Sequence, residues 1–202
     1  IIRGLVGSEM CIRDSYDTET AAKLIADLKE IVPPYVRIQR IQRDIPKPQI
    51  IAGVMNSNLR QYARRELKSR GKKCNCINCR ELWRAHIDPS TAELKEIKYK
   101  SSGGDEYFLS FESGSKLLGY LRLRLDDNAT VRELKVTGQA ANIGKTGTGV
   151  QHMGLGSKLM KVAEEKAKGY AKIRVTHGPG TRLYYEKLGY SLEDYYMVKD
   201  LP

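Results

Sequence analysis

Three cysteines stand close together in a basic stretch of the chain. Cys74, Cys76 and Cys79 fall within six residues. Thiolates at this density favour a soft or borderline cation, most often tetrahedral zinc, and free thiols or an iron–sulfur cluster are the less favoured interpretations. The spacing therefore predicts a metal site of structural role, since no general base adjoins it. His86 is the nearest candidate for the fourth coordination position, and Asp88, His152 or water are the alternatives.

A glycine-containing loop opens a predicted helix in the last third of the chain. Residues 151–157 read QHMGLGS, which places a glutamine and two glycines in a Q-x-x-G-x-G spacing. Glycine lets the main chain turn tightly and approach a ligand, while the N–H groups at a helix start and the positive end of the helix dipole bind a pyrophosphate. The spacing predicts a pyrophosphate site, and a tight turn with close helix packing is the alternative.

Basic residues concentrate between positions 37 and 73, where eleven Lys and Arg face only two acidic residues. Arg60, Arg64 and Arg65 lie on a predicted helix there and are the candidate contacts to RNA phosphates. A solvated, charged helix face is the alternative. Over the whole chain, 35 Lys and Arg exceed 24 Asp and Glu and give a net charge of +11. This excess suits a polyanionic partner such as nucleic acid or a phosphorylated cofactor.

The composition is that of a soluble globular protein of one or two small domains. Of the 202 residues, 41% are hydrophobic and 29% are charged, and no stretch approaches the roughly 20 apolar residues of a membrane-spanning helix. A membrane is therefore not expected as a partner. Clustered cysteines without a disulfide framework predict a reducing, cytoplasmic location. Residues 1–15 show no sustained periodicity, and we interpret them as a segment foreign to the native domain.

Helical periodicity dominates the first part of the chain. Apolar residues at helical spacing predict a helix over 17–31, which a pair of prolines ends, and a second helix is predicted over 58–71. Between them, residues 35–41 alternate in the manner of a strand.

After the cysteines, the pattern becomes one of alternating strands separated by turn residues. The predicted elements are, in order, strands over 94–99, 106–111, 117–125 and 130–137, a helix over 154–168, a strand over 172–176, a short helix over 181–188 and a strand over 195–199. Antiparallel strands followed by alternating strands and helices describe a mixed α/β domain that begins at about residue 92.

Several of these segments together resemble known proteins. The strand at 131–136, the loop at 151–156 and the segment at 180–190 resemble the acetyl-CoA site of the GNAT acetyltransferase superfamily. A more specific similarity, in order along residues 16–202, is to the catalytic subunits of Elongator, which are tRNA wobble-uridine acetyltransferases. The stretches that carry it are residues 32–46, 79–81, 131–134, 151–156, 180–185 and 196–199.

This resemblance implies an enzyme with a radical S-adenosylmethionine barrel and a GNAT domain, joined by a zinc-bearing linker. Such an enzyme installs an acetyl-derived carboxymethyl precursor at carbon 5 of the wobble uridine in the tRNA anticodon. Residues 16–73 would end the barrel, residues 74–91 would form the metal linker, and residues 92–202 would form a GNAT fold with a mixed, mostly antiparallel sheet. S-adenosylmethionine and a 4Fe–4S cluster are expected only in a preceding half. Other Elongator subunits or a second copy are the implied protein partners.

The resemblance also assigns roles at the acetyl-CoA site. Backbone N–H groups of residues 153–157 would hold the pyrophosphate, and the edge of residues 133–136 would pair with the pantetheine arm, whose amides mimic a strand. Tyr184 and Tyr185 would lie near the thioester as catalytic residues, with Tyr185 the closer, and core packing is the alternative. The expected cofactor-binding residues are Glu133, Leu134, Lys135, Val136, Gln151, Met153, Gly154, Leu155, Gly156, Ser157, Lys158 and Tyr185.

Two other functions remain open from the sequence. A free-standing GNAT enzyme that acetylates a lysine or another amine would use the same acetyl-CoA site without tRNA. A zinc-containing RNA-binding module without catalytic activity would bind tRNA but not acetyl-CoA.

Overall fold

The computed structural model describes residues 16–41, 48, 52–82, 87, 89–137 and 154–202. The chain forms two compact units, Ile1–Cys79 and Arg80–Pro202. None of the helices in the described ranges is long and apolar enough to cross a membrane. Some positions singled out from the sequence lie outside the described residues, and they are residues 1–15, His86, Asp88, Gln151, His152 and Met153.

The first unit is built around two helices. Helix α1, Thr18–Ile31, begins at Asp17, whose carboxylate accepts a hydrogen bond of 2.6 Å from the Thr20 N–H. Asp is a favoured residue at this position because it satisfies an N–H group that the helix leaves unpaired. Helix α2, Leu59–Ser69, packs on α1. Both predicted helices are confirmed. The small apolar cluster of buried residues between them consists of Ala21, Ala22 and Leu59.

The predicted strand over residues 35–41 is wrong, since these residues belong to no strand in the structure. A strand needs a neighbour to pair its backbone groups, and the described part of this unit contains no other strand. The segment instead bonds to helices: the Val36 carbonyl accepts from the Ile77 N–H at 3.0 Å, and the Ile38 carbonyl accepts from Arg60 at 3.1 Å. The short helix α3, Ile77–Arg80, follows Cys74 and Cys76 and contains Cys79.

The second unit contains a seven-stranded sheet in the order β1-β2-β3-β4-β5-β7-β6. All neighbouring strands are antiparallel except β4 and β5, which are parallel. The predicted mixed, mostly antiparallel sheet is therefore confirmed. The strands are β1, Glu93–Ser101; β2, Gly104–Ser113; β3, Lys116–Leu125; β4, Ala129–Val136; β5, Lys172–Thr176; β6, Ser191–Glu193; and β7, Tyr196–Asp200.

Two further helices complete this unit: α4, Leu155–Lys166, and the short α5, Arg182–Glu186. One stripe of α4 is buried in the core against residues of β3, β4 and β5. This packing fixes where α4 begins relative to the sheet. Strand β6 was not predicted, because its three residues are all exposed and carry no alternating pattern. The stripe of α4 in the core consists of Leu159, Met160 and Ala163.

Candidate acetyl-CoA and metal sites

Strands β4 and β5 pair at one end only. Their three parallel pairs join residues 129–131 to residues 173–175. Beyond Val131, the structure records no partner on the β5 side for the rest of β4 within its described residues, while the other edge of β4 remains paired with β3 as far as Val136. The open edge of residues 132–136 presents backbone N–H and C=O groups. A ligand that carries amide groups can add to such an edge as an extra strand would.

The side chains along this part of β4 have partners within the protein. The Glu133 carboxylate accepts hydrogen bonds from the Tyr120 hydroxyl and, at 3.0 Å, from Arg122 Nε. The Lys135 ammonium forms an ion pair of 2.9 Å with Glu81. The strand therefore offers its backbone to a ligand more than its side chains. The two apolar members of the segment pack against buried clusters, and they are Leu134 and Val136.

Helix α4 begins next to this edge. Gly154 has φ +65° and ψ 19°, a left-handed conformation that glycine adopts at little cost. Its carbonyl accepts the Lys158 N–H at 2.9 Å and closes the first turn. The N–H groups of residues 155–157 therefore have no acceptor within the helix, and they carry the positive end of its dipole. Leu155 is buried and holds the helix start in place, and the first turn contains no acidic residue.

Tyr184 of α5 reaches the start of α4. A Cβ atom added to Gly156 would lie 2.6 Å from the Tyr184 hydroxyl oxygen and 3.6 Å from a methyl group of Val136. A side chain at position 156 therefore requires the Tyr184 hydroxyl to move. The Tyr184 hydroxyl is buried and has no hydrogen-bond partner in the described structure. A buried hydroxyl without a partner costs about 1–3 kcal/mol, so this atom points to a ligand at the start of α4.

Tyr185 occupies a different environment from its neighbour. It is 5% exposed and belongs to the core, where its ring makes edge contacts with Tyr184 at 5.1 Å and Tyr190 at 6.1 Å. Burial raises the pKa of the Tyr185 hydroxyl to about 12, and nearby Tyr184 adds to the effect. The hydroxyl is therefore protonated at neutral pH. Adjacent helical residues point about 100° apart, so Tyr184 lies beside the start of α4, whereas Tyr185 belongs to the buried cluster that contains Leu159 and Met160 farther along α4. A cofactor contact for Tyr185 stays a prediction.

The three cysteines meet in the first unit. The sulfur atoms of Cys74, Cys76 and Cys79 all lie within 4.8 Å of one another. Zinc–sulfur bonds of about 2.3 Å in a tetrahedron separate the sulfurs by about 3.8 Å, so a small movement brings all three onto one ion. Hydrogen bonds from Cys74 and then Cys79 lower the pKa of the buried Cys76 thiol. The three cysteine sulfurs fit a zinc-type site, both as ligand atoms and in their distances from one another.

The basic helix α2 carries the three candidate RNA-binding arginines in unlike settings. Arg60 is half-buried and donates to the carbonyls of Ile38 at 3.1 Å and Gln39 at 3.0 Å, so it holds the segment before it. Arg64 and Arg65 are exposed on α2. The structure therefore leaves two of the three arginines accessible to a phosphate backbone.

Two features of these sites were missed from the sequence. Arg65 lies over the Tyr62 ring, with 5.1 Å between its guanidinium carbon and the ring centre. Because residues three positions apart on a helix are neighbours, the sequence spacing of Tyr62 and Arg65 could have predicted this contact. Lys29 of α1 donates to the sulfur of Cys79 across fifty residues of sequence, and no local pattern indicates that contact.

Two family models match the chain. The Radical_SAM C-terminal domain model matches residues 13–69, and the acetyltransferase (GNAT) family model matches residues 77–190. The second match contains β4, the start of α4 and α5, which are the elements that form the candidate acetyl-CoA site.

Named relatives are similar over nearly the whole chain. The tRNA uridine(34) acetyltransferase of Dehalococcoides mccartyi is 42% identical over 92% of this chain and 45% of its own length. Human Elongator complex protein 3 is 38% identical over 93% of this chain and 38% of its own length. The chain thus spans less than half the length of these curated relatives.

A solved structure has the same fold. The structure of the archaeal Methanocaldococcus infernus Elp3 with an N-terminal deletion superposes with a TM-score of 0.83 at 40% identity, covering 92% of this chain and 49% of that one. The GNAT model itself matches more than half of the present chain. From the fold, the site geometry and these matches, the chain belongs to the acetyltransferase (GNAT) family.

Proposed function

We propose that this chain is the acetyl-CoA-using part of a tRNA wobble-uridine acetyltransferase, which forms the carboxymethyl precursor at carbon 5 of the uridine. The observation that carries the acetyl-CoA half of this proposal is the buried, unpartnered Tyr184 hydroxyl at the start of α4. The tRNA half rests on the relatives named as tRNA uridine(34) acetyltransferases and on the net charge of +11.

The described residues fit acetyl-CoA in three places. The N–H groups of residues 155–157 would bind the pyrophosphate, because they have no acceptor within the helix. The open β4 edge over residues 132–136 would pair with the pantetheine amides. Lys158 is exposed beside the helix start, where its ammonium would attract phosphate. Gln151 and Met153 remain proposed members of the same loop from the sequence pattern.

Acetyl-CoA supplies an acetyl group activated as a thioester. By the resemblance, the Tyr184 hydroxyl would donate a hydrogen bond to the thioester carbonyl or protonate the departing thiolate. Tyr185 packs edge-on against the Tyr184 ring and fixes its direction. We therefore propose Tyr184 as the catalytic residue and Tyr185 as the residue that positions it.

The first unit would contribute the tRNA surface and a structural metal. Exposed Arg64 and Arg65 would contact phosphates, while Arg60 would hold the segment that precedes them. The three cysteines would bind zinc within a linker over residues 74–91, between a radical barrel segment over 16–73 and the acetyltransferase domain over 92–202. S-adenosylmethionine and the 4Fe–4S cluster would belong to a preceding half. A cytoplasmic location and assembly with other Elongator subunits or a second copy are proposed from the resemblance alone.

The proposal is tested with the 202-residue protein and the variant Tyr184→Phe. The matched control is Tyr195→Phe, since Tyr195 is the most exposed of the large hydrophobic side chains in the described structure and lies in a turn. Acetyl-CoA affinity is measured by calorimetry, and thioester hydrolysis is measured with and without tRNA.

We expect the wild-type protein and the control to bind acetyl-CoA and to hydrolyse it faster with tRNA. Loss of the Tyr184 hydroxyl should slow hydrolysis by about 100–1,000-fold, because one hydrogen-bond donor to the reacting carbonyl is removed. Failure of the wild-type protein to bind acetyl-CoA would refute the proposal. If tRNA changes neither acetyl-CoA binding nor its hydrolysis, the result would indicate an acetyltransferase that acts on another substrate.

A further inference from the structure

Lys29 is a buried cation beside the three cysteines. It lies in the last turn of α1 and is only 2% exposed. Its ammonium donates a hydrogen bond to the sulfur of Cys79 at 3.6 Å. Lysine is almost never fully buried unless an anion balances its charge. The contact of the buried Lys29 ammonium with a cysteine sulfur therefore requires an explanation.

Nearby carboxylates are engaged by other cations. Asp27, two positions before Lys29, pairs with Arg70. Glu30, the next residue, pairs with Lys72 at 3.1 Å and with Arg70 at 3.9 Å. In the part of the chain that the structure describes, the recorded acceptor for the Lys29 ammonium is therefore a cysteine sulfur rather than a carboxylate.

We propose that Lys29 is a positioning residue of the metal site. Its N–H group orients the Cys79 thiolate, and its charge balances the cluster. Three thiolates around a divalent cation carry a net charge of −1, which one ammonium at this distance reduces to zero. Groups that hydrogen-bond to metal ligands fix their orientation and tune the affinity of the site. This inference rests on the metal site proposed above.

A purely structural role would have a different origin. Cations are stabilised at helix C-termini by the helix dipole, and Lys29 occupies the last turn of α1. That role would affect the helix with or without metal. The role proposed here acts on the bound metal. Measuring metal affinity and the cobalt absorption band therefore distinguishes it from an effect of Lys29 on the helix alone.

The test compares three substitutions of Lys29 in the complete chain, kept reduced. Lys29→Arg retains the charge and N–H donors, Lys29→Gln retains a donor without charge, and Lys29→Leu removes both. Lys23→Gln is the matched control, because Lys23 lies on the same helix with a side chain that is 54% exposed. Co²⁺ binding is followed by the thiolate-to-cobalt absorption band, and Zn²⁺ affinity is followed by competition with a chromophoric chelator.

We expect Lys29→Gln and Lys29→Leu to weaken metal affinity by roughly 10–100-fold and to shift the cobalt band, which is the usual size of an outer-shell effect. Lys29→Arg should restore most of the affinity, and Lys23→Gln should match the wild-type protein. Circular dichroism of the metal-free proteins shows whether α1 is retained. If Lys29→Gln reduces the helix content, the role of Lys29 is decided by comparing the metal affinities of Lys29→Leu and Lys29→Arg. Lys29→Leu leaves no buried charge at this position.

Two results would overturn the inference in distinguishable ways. If the wild-type protein binds Co²⁺ through thiolates and all three Lys29 variants bind it equally with an unchanged band, the metal site stands and the role of Lys29 is refuted. If the wild-type protein gives no thiolate-to-cobalt band, the proposed metal site is refuted and the role of Lys29 with it.

Discussion

Replacing Gly156 by alanine tests the close contact on which the acetyl-CoA site is built. The new Cβ would lie 2.6 Å from the Tyr184 hydroxyl oxygen, whereas carbon and oxygen atoms in ordinary contact are at least about 3.2 Å apart. Tyr184 must therefore move by at least about 0.6 Å. Overpacking of this kind costs about 1–3 kcal/mol, and the gain of alanine over glycine in a helix returns about 0.5–1 kcal/mol. We expect a net loss of about 0.5–2 kcal/mol in the free energy of unfolding.

The same substitution has a different result when the hydroxyl is absent. In a Tyr184→Phe background, the nearest remaining atom to the new Cβ is the Tyr184 ring carbon Cζ at 3.5 Å, an ordinary contact. Gly156→Ala should then be neutral or stabilising by up to about 1 kcal/mol. The two substitutions should therefore couple by about 1–3 kcal/mol in a double-mutant cycle.

The assay is urea unfolding of the four proteins, followed by circular dichroism, together with acetyl-CoA affinity by calorimetry. Gly156→Ala should also weaken acetyl-CoA binding at least about tenfold, because a methyl group and a displaced hydroxyl occupy the start of α4. Gly178→Ala is the matched control, since a Cβ there meets no atom within 4 Å. Equal free-energy changes for Gly156→Ala in both backgrounds would refute the contact, and unchanged affinity would refute the binding assignment.

Two more predictions concern the basic helix and the alkaline stability of the core. Replacing exposed Arg64 and Arg65 by glutamate should lower tRNA affinity and flatten the slope of its logarithm against the logarithm of salt concentration by about 1.5. The same charge change at exposed Lys161 and Lys168 should leave the slope unchanged, and equal slopes for both pairs would contradict a phosphate contact. The pKa of the Tyr185 hydroxyl is raised to about 12 by burial. The contribution of the protonated hydroxyl to the free energy of unfolding is therefore complete below pH 10 and is lost between pH 10 and 12. Tyr185→Phe should reduce this alkaline loss of stability, and an unchanged pH profile would contradict the burial of the hydroxyl.

Local signals explain why most helices and strands were predicted correctly. The carboxylate of Asp17 begins α1 and the prolines that follow Val32 end it, so both boundaries of that helix depend on residues adjacent in sequence. The segment 35–41 alternates over part of its length, yet it forms no strand. Alternation reports which residues are apolar, whereas strand formation also depends on a partner strand outside the segment.

The same distinction holds for the acetyl-CoA site. The sequence pattern identified Gly154 and Gly156 but gave one general reason for both, namely backbone freedom. The structure separates them: Gly154 needs its left-handed conformation, and Gly156 needs the space that the Tyr184 hydroxyl occupies. The open edge of β4 could not be predicted from β4 alone, because it exists only where β5 ceases to pair with it.

The proposed acetyl-CoA site would therefore be built mainly from backbone groups, and this limits which substitutions should affect it. Side chains at positions 133–136 bond or pack within the protein, so single conservative changes there should alter stability more than affinity for acetyl-CoA. Among the described residues, Gly154, Gly156, Tyr184 and Lys158 would contribute through their own identity, the glycines by lacking a side chain, Tyr184 by its hydroxyl and Lys158 by its charge. A backbone site of this kind would recognise the phosphates and amides of acetyl-CoA, so under the proposed function the acetyl acceptor would be selected by other surfaces of the protein.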